Sequence, residues 1–281
     1  MTSPASQPLF GLSTASVYPE PTAQAFDYAE RLGYDAVEVM VGIDVVSQST
    51  DRLRSLRDHH GVPVCAVHAP CLLITQRVWG TEPWAKLERS AEMARDLDAD
   101  VVVVHPPFRW QRDYAAGFVE GIADLERRTG IAFAVENMYP WRATSRRGMV
   151  VYQPGWDPSE ESYANTCVDL SHAATAQSDP VAMAERLGPR LRHVHMTDGS
   201  GSAKDEHLVP GHGAMPCGPF LEGLAARGFS GHVVAEINTR KAGDPEARER
   251  DLLESLAFSR LHFAAPGEGA GVQPGLEPER P

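Results

Sequence analysis

HVHMTDGSGSAKDEHLVPGHG, residues 193–213, is the stretch on which the reading of the fold turns. With the residues before it, it opens as a buried strand, RLRHVHM, and then breaks into a Gly/Ser loop. That loop delivers Asp205-Glu206-His207 just ahead of Pro210-Gly211-His212-Gly213. His193 and His195 are two apart, so they face the same side of a strand. Asp205 and His207 are also two apart, and an extended loop aims both into one site. Groups suited to a divalent metal thus occur twice, at a strand end and in the loop that the strand feeds.

Outward from there, short β-rich apolar runs alternate with helical patterns over most of the chain. The strand candidates are 9–13, 36–41, 62–68, 101–105, 131–136, 166–170, 191–196 and 233–237. Helical segments fall at 21–32, 49–60, 83–97, 113–129, 178–187, 216–227 and 245–263. Ser178-Asp179-Pro180 reads as a cap followed by proline in the first turn, and Gly33, Gly61, Gly130 and Gly228 stand where helix-ending glycines belong. Eight strands alternating with helical connections predict an α/β (β/α)8 TIM barrel, whose usual size is ~250 residues. A doubly wound sheet is the alternative, but no GxGxxG follows the first strand. The reading is a single barrel domain over 1–264 with a Pro/Gly-rich, disordered tail over 265–281.

The bulk numbers bound the function. The 281 residues are 42% hydrophobic with a net charge of -12, which disfavours a dedicated nucleic-acid binder. The N-terminus has neither a basic n-region nor a long apolar run, so no export signal is expected. No apolar run approaches the ~20 residues of a membrane span. Cys65, Cys71, Cys167 and Cys217 form no CxxC pair, and reduced thiols in a cytoplasmic protein are the expectation.

In such a barrel, chemistry collects where strands end. Strand three ends in His68, strand four in His105, strand five in Glu136, and strand six in Asp169 with His172 three further on. Strand seven carries His195 and feeds Asp205 and His207; strand eight ends in Glu236. Any one of these is readily an ordinary edge residue, but six consecutive strands finishing on metal-competent side chains point to a metal site. Mixed oxygen and nitrogen ligands without thiolate suit Zn, Mn, Fe or Mg better than a closed structural zinc. Cys71 and Cys167 lie near the rim and read as small apolar packing residues.

The set HAPCLL, VVHPPF, VENMYP, CVDLSHA, HVHMTD, DEHLVPGHG and VAEIN resembles the xylose isomerase-like TIM barrel superfamily over about residues 9 to 264. That group holds sugar isomerases and epimerases, inosose dehydratases and the zinc DNA-repair enzyme endonuclease IV. For an epimerase, the resemblance implies one divalent metal on Glu136, Asp169, His195 and Glu236. For endonuclease IV, it implies three zincs, with His68, His105, His172, Asp205 and His207 added. Against repair, Cys71 stands where that enzyme puts a wedging aromatic, and His212 replaces the glutamate of its G-E-G step. The expectation is therefore a metal-dependent isomerase or epimerase acting on a small sugar-like molecule, with one to three ions and neither nucleic acid nor membrane as partner. A trinuclear zinc phosphodiesterase is the alternative. Proton transfer through an enediolate would use Glu136 and Glu236 as base and acid, with His172 and His207 orienting hydroxyls.

Three further features carry open readings. Trp79, Trp84, Trp110, Trp141 and Trp156 all follow strands three to five, which suits either stacking on a sugar or packing of long loops. The connection after Glu136 carries Arg142, Arg146 and Arg147, either an anion clamp or a solvated lid. Glu38 ends strand two as a substrate contact or an ordinary rim carboxylate.

Overall fold

The computed structural model describes residues 7–144 and 147–264. In chain order its first strands are β1 (Leu9–Ser13), β2 (Ala36–Met40), β3 (Val64–His68), β4 (Val101–Val104) and β5 (Ala132–Glu136). A small hairpin follows, β6 (Trp141–Thr144) against β7 (Arg147–Met149), and then β8 (Thr166–Asp169), β9 (Leu191–Met196) and β10 (His232–Ala235). All but the hairpin pair in parallel and close into a barrel, with β5 beside β8 and β10 returning to β1. The expected eight-stranded TIM barrel is what forms. Residues 265–281, expected to be a tail, lie outside the described residues, as does Arg146.

The helices on the outside are α1 (Thr22–Leu32), α2 (Thr50–His60), α3 (Pro83–Asp96), α4 (Arg112–Ala116) and α5 (Phe118–Thr129). They continue as α6 (Leu170–Ala176), α7 (Pro180–Leu187), α8 (Cys217–Ala226) and α9 (Pro245–Phe263). The capping signals behave as read: Asp179 accepts from the Val181 and Ala182 amides, and Gly33, Gly61 and Gly130 are left-handed helix ends. Most boundaries shift by a residue or two, and two differ for a local reason. The helix expected over 113–129 is broken at Gly117. The sixth barrel strand stops at Asp169, because its carboxylate accepts from the His172 amide at 2.6 Å and starts α6 at once.

Period-two patterning sorts the strand residues. Phe133 and Val135 face outward into the layer shared with the helices, where Phe26, Leu53, Leu87, Phe118, Ile122 and Leu125 are also buried. A separate cluster of small residues includes Ala36, Ala66, Val101, Val103, Ala134, Cys167 and Val234. Alanine and valine suit strand positions that converge on a barrel axis, where the layers of side chains are crowded. Cys167 is thus fully buried among them rather than at the rim.

Polar side chains are buried at the start of two strands as well. His193 and His232 are register partners with ring centroids 5.4 Å apart, and His232 Nε2 lies 3.3 Å from Asp100. Burial, followed by the nearby His193, depresses the His232 pKa to about 4. Between its unfolded value near 6.5 and about 4, the unfolded chain binds a proton that the native ring refuses. Stability contributed by the neutral ring is therefore complete above that window and lost as pH falls through it. Urea titrations from pH 7 to 4 should show ΔG falling with pH, with a shallower slope for His232→Gln. Equal slopes would contradict the assignment.

Candidate metal centre

Because β3, β5, β8 and β9 end level with one another, their last inward residues meet. Glu136 is the hub. Its Oε1 lies 2.9 Å from His195 Nδ1 and 3.2 Å from His172 Nδ1. Its Oε2 lies 2.9 Å from His105 Nε2 and 3.4 Å from His68 Nε2. Burial alone would raise its pKa; the imidazoles of His195, His172 and His105 outweigh that and hold it well below the usual carboxylate range.

His195 Nδ1 is the second point of convergence. Glu236 Oε2 approaches it to 2.8 Å, Glu136 Oε1 to 2.9 Å and Asp169 Oδ2 to 3.6 Å. Glu136, Asp169, His195 and Glu236 each offer one ligand atom within 4.8 Å of the others. His105 and Glu236 sit one residue beyond their strands, at the first position of the following loop.

The third convergence is built by loops. His172 Nε2 lies 3.2 Å and His207 Nε2 3.0 Å from the same oxygen, Asp205 Oδ2. His207 Nδ1 faces the Glu236 carbonyl oxygen at 2.7 Å, so it carries the hydrogen there. Burial lowers the His207 pKa, but Asp205 and Asp169 raise it further, to about 10. The two-apart spacing of Asp205 and His207 does aim both into one site.

Residues that the sequence reading passed over hold this loop in place. Asp198 is fully buried and accepts four backbone amides, those of Gly199, Gly211, Gly213 and Met215, at 2.7–3.0 Å. A Cβ on Gly213 would stand 2.2 Å from Asp198 Oδ1, which is why glycine is needed there. Ser171 donates to Asp205 and accepts the Glu206 and His207 amides. Asn137 ties β5 to β8 through the backbone of Asp169 on both its amide and carbonyl sides. The signal for Asp198 was present in HVHMTDG, an acid before glycine, but its amide partners lie up to 17 residues away.

One expectation is corrected, and the structure shows where the residues with open readings lie. Glu38 is neither on the rim nor in reach of a substrate: it is fully buried, 2.9 Å from His193 and 3.3 Å from His195. His212 is exposed and pairs with Glu254 on α9 at 2.8 Å, away from the centre. None of the five tryptophans lines the main cavity. Trp84 lies on α3 and packs against Tyr114 and Phe118, while Trp110 stacks on Phe108 beside Trp141. They pack connections together. Arg142 and Arg147 stand on the β6–β7 hairpin, so that connection is neither wholly irregular nor a simple loop.

A divalent cation fits this donor set. Glu136 Oε2 and Asp169 Oδ2 are buried without an aligned hydrogen-bond donor, and orphaned carboxylate oxygens in a protein interior are costly unless a cation or donor meets them. Burial pushes the Cys167 and Cys71 thiols up to about 12, and Cys167 groups only with His193 and His195, beneath the cavity. The ligand set is hard oxygen with imidazole. It lies under a cavity of about 780 Å³, within the ~300–1,000 Å³ range of small-molecule sites, lined by His68, His105, Glu136, His172, Asp205, His207 and Glu236. Its outer wall includes Tyr18, Ile43, Leu72, Ile74 and Arg240. Asp169 and His195 are not on its wall.

Comparisons with known proteins agree with this architecture. The family described as xylose isomerase-like TIM barrel matches residues 26–262. An uncharacterized protein of Mycobacterium tuberculosis is 49% identical over 271 residues, covering 90% of this chain and 97% of that protein. Fructoselysine 3-epimerase of Escherichia coli O157:H7 is 22% identical, covering 87% of this chain and 95% of its own length. The structure of a 3-keto-D-glucoside 4-epimerase from E. coli superposes with a TM-score of 0.67 at 18% identity, covering 91% of this chain and 100% of that one.

The Asp198 anchor generates a prediction. Asp198→Ala strands four amides beneath the loop, and unsatisfied buried groups cost about 1–3 kcal/mol each before relaxation. A loss of about 3 kcal/mol in urea unfolding is expected, with new protease cleavage between Gly199 and Met215. An uncleaved, equally stable variant would show that the loop is held by something else.

Proposed function

The chain belongs to the xylose isomerase-like TIM barrel family, and from that premise we propose that it is a divalent-metal-dependent isomerase or epimerase of a sugar, sugar phosphate or related polyol-ketone. One observation carries the reading: of Glu136, Asp169, His195 and Glu236, the two glutamates alone reach the wall of the large cavity. Asp169 and His195 support from beneath; the two glutamates meet what enters. The likeness to a fructoselysine 3-epimerase and to a 3-keto-D-glucoside 4-epimerase supports sugar chemistry of this kind.

Glu136, Asp169, His195 and Glu236 would hold the cation, which when bound stabilises negative charge on substrate oxygens. The remaining work belongs to side chains. One glutamate takes the proton from the carbon beside the carbonyl, and the electron pair moves to the carbonyl oxygen. The other glutamate returns a proton to the opposite face of that carbon, giving the epimer; or the hydroxyl proton passes to the former carbonyl oxygen and the carbon proton goes to the neighbouring carbon, giving the isomer. Two carboxylates on a shared cavity supply the general base and acid this requires. His207, held by the Glu236 carbonyl and Asp205, and His172, held by Asn137 and Asp205, orient substrate hydroxyls.

A specific observation favours a second reading, a multinuclear phosphodiesterase of the endonuclease IV kind. Glu136 also groups with His68 and His105, and Asp169 with His172 and His207, while Cys167, His193 and His195 form a fourth group, so several potential ion positions share ligands. Among the described residues, however, Arg240 is the only arginine or lysine on the cavity wall, and it lies over the Tyr18 ring at 4.6 Å, which is thin for gripping a duplex.

Metal-replete protein should hold close to one tightly bound divalent ion per chain, measured by elemental analysis. Close to three, with incision of abasic-site duplex, would establish the phosphodiesterase instead. With ketoses and ketose phosphates in D2O, the product carbon should acquire deuterium. Glu136→Gln and Glu236→Gln should each lower turnover by roughly 10²-fold or more. Turnover of a ketose without deuterium entry would reject proton transfer to and from bulk-exchanging carboxylates.

A further inference from the structure

Glu38 takes part in none of the steps above, yet it is fully buried and its side chain lies directly under the centre. Its Oε2 lies 3.3 Å from His195 Nε2 and 2.9 Å from His193 Nε2, and both rings point inward from β9 at positions two apart. The other nitrogen of His195, Nδ1, faces the oxygens of Glu236 and Glu136 at 2.8 and 2.9 Å. Carboxylates therefore press on both nitrogens of a single, wholly buried imidazole. A neutral imidazole carries only one hydrogen, and its place is set by the bond the ring makes on the far side. Glu38, remote from the cavity and from water, accepts a hydrogen at Nε2. That leaves the Nδ1 lone pair directed at Glu136, Glu236 and Asp169, an arrangement of like polarity that a proton on Nδ1 or a cation between them relieves.

We propose that Glu38 is a positioning residue for the metal centre: it holds His195 with hydrogen on Nε2, fixes the ring's orientation, and so presents Nδ1 as a preformed ligand. The inference rests on the metal-dependent reading given above and names the residue that tunes it. Partners of this type on the far nitrogen of a ligating histidine orient the ring and raise its basicity, and their removal typically weakens metal binding about 10–100-fold. His193 shares the same Glu38 oxygen and closes the space beneath. The result is a buried carboxylate flanked by two rings.

The test compares wild type, Glu38→Gln and Glu38→Leu in two measurements. Chelator-competition titrations with Zn(II) and Mn(II) should give about 10–100-fold weaker binding for Glu38→Leu. A smaller loss is expected for Glu38→Gln, whose amide oxygen still accepts from Nε2. In zinc-loaded, 15N-histidine-labelled protein, assigned with His195→Gln, wild type should show Nδ1 bound to metal. It should also show a downfield, slowly exchanging hydrogen on Nε2, which moves upfield and exchanges faster in both Glu38 variants. A mere loss of packing would not move that resonance while the far-UV spectrum stayed native. Variants that bind zinc within twofold of wild type, or zinc on Nε2 in wild type, would overturn the proposal. If Glu38→Leu fails to fold, Glu38→Gln and the wild-type spectrum still decide it. Wild type that binds neither ion sinks the metal reading itself, a different outcome from variants that bind equally well.

Discussion

The structure depends on the burial of the Glu136 carboxylate among four imidazoles. A lone carboxylate taken out of water costs several kcal/mol even after relaxation, so the site must surround it with partners or let it protonate. His68, His105, His172 and His195 do the first, each from a different strand or the loop or helix directly after one. This constrains the barrel as a whole. A slip of one residue in any of β3, β5 or β9 would turn its ligand out toward the helices and leave Glu136 partly uncompensated. The register pairs Met40 with His68 and Asp169 with His195 are therefore electrostatic requirements as much as hydrogen-bonding ones.

Rigid and adjustable parts of the centre have different origins. Glu136, Asp169 and His195 sit on strands whose neighbours are fixed on both sides, and Asn137 adds a side-chain tie between β5 and β8. Asp205 and His207 come from a long loop, and such a loop would not hold a ligand in place unaided. Asp198 and Ser171 supply the missing rigidity by accepting amides along the loop backbone, and Ser171 also donates to the Asp205 carboxylate. The glycines of the PGHG turn permit the approach to Asp198, and this, rather than the His212 side chain, is the turn's contribution.

Charge is layered by depth as well. The upper tier, Glu136 and Glu236, opens onto the cavity; Asp169 and His195 lie beneath it; Glu38 and His193 lie below those, with His232 and Asp100 continuing toward the start of the strands. A barrel interior filled only with alanine and valine would be simpler to fold. The polar column is retained at positions where it braces the groups above it.

The barrel was legible in the amino-acid order because β/α alternation and period-two patterning are local properties. The strand ends His68, Glu136, Asp169 and Glu236 followed from the same pattern, since βα junctions face one end of the sheet. The sequence also bounded the candidate donors gathered at the strand ends, oxygen and imidazole, because hardness is a property of residue type. Contacts between residues distant in the chain were left to tertiary structure. Glu38 is 157 residues from His195, and nothing local distinguishes a rim carboxylate from one turned under a histidine. The tryptophans' partners, the exposure of His212 and the amides gathered by Asp198 were hidden for the same reason. Each depends on which loops fold back over the barrel mouth, and that is decided only when the whole ring of strands has closed.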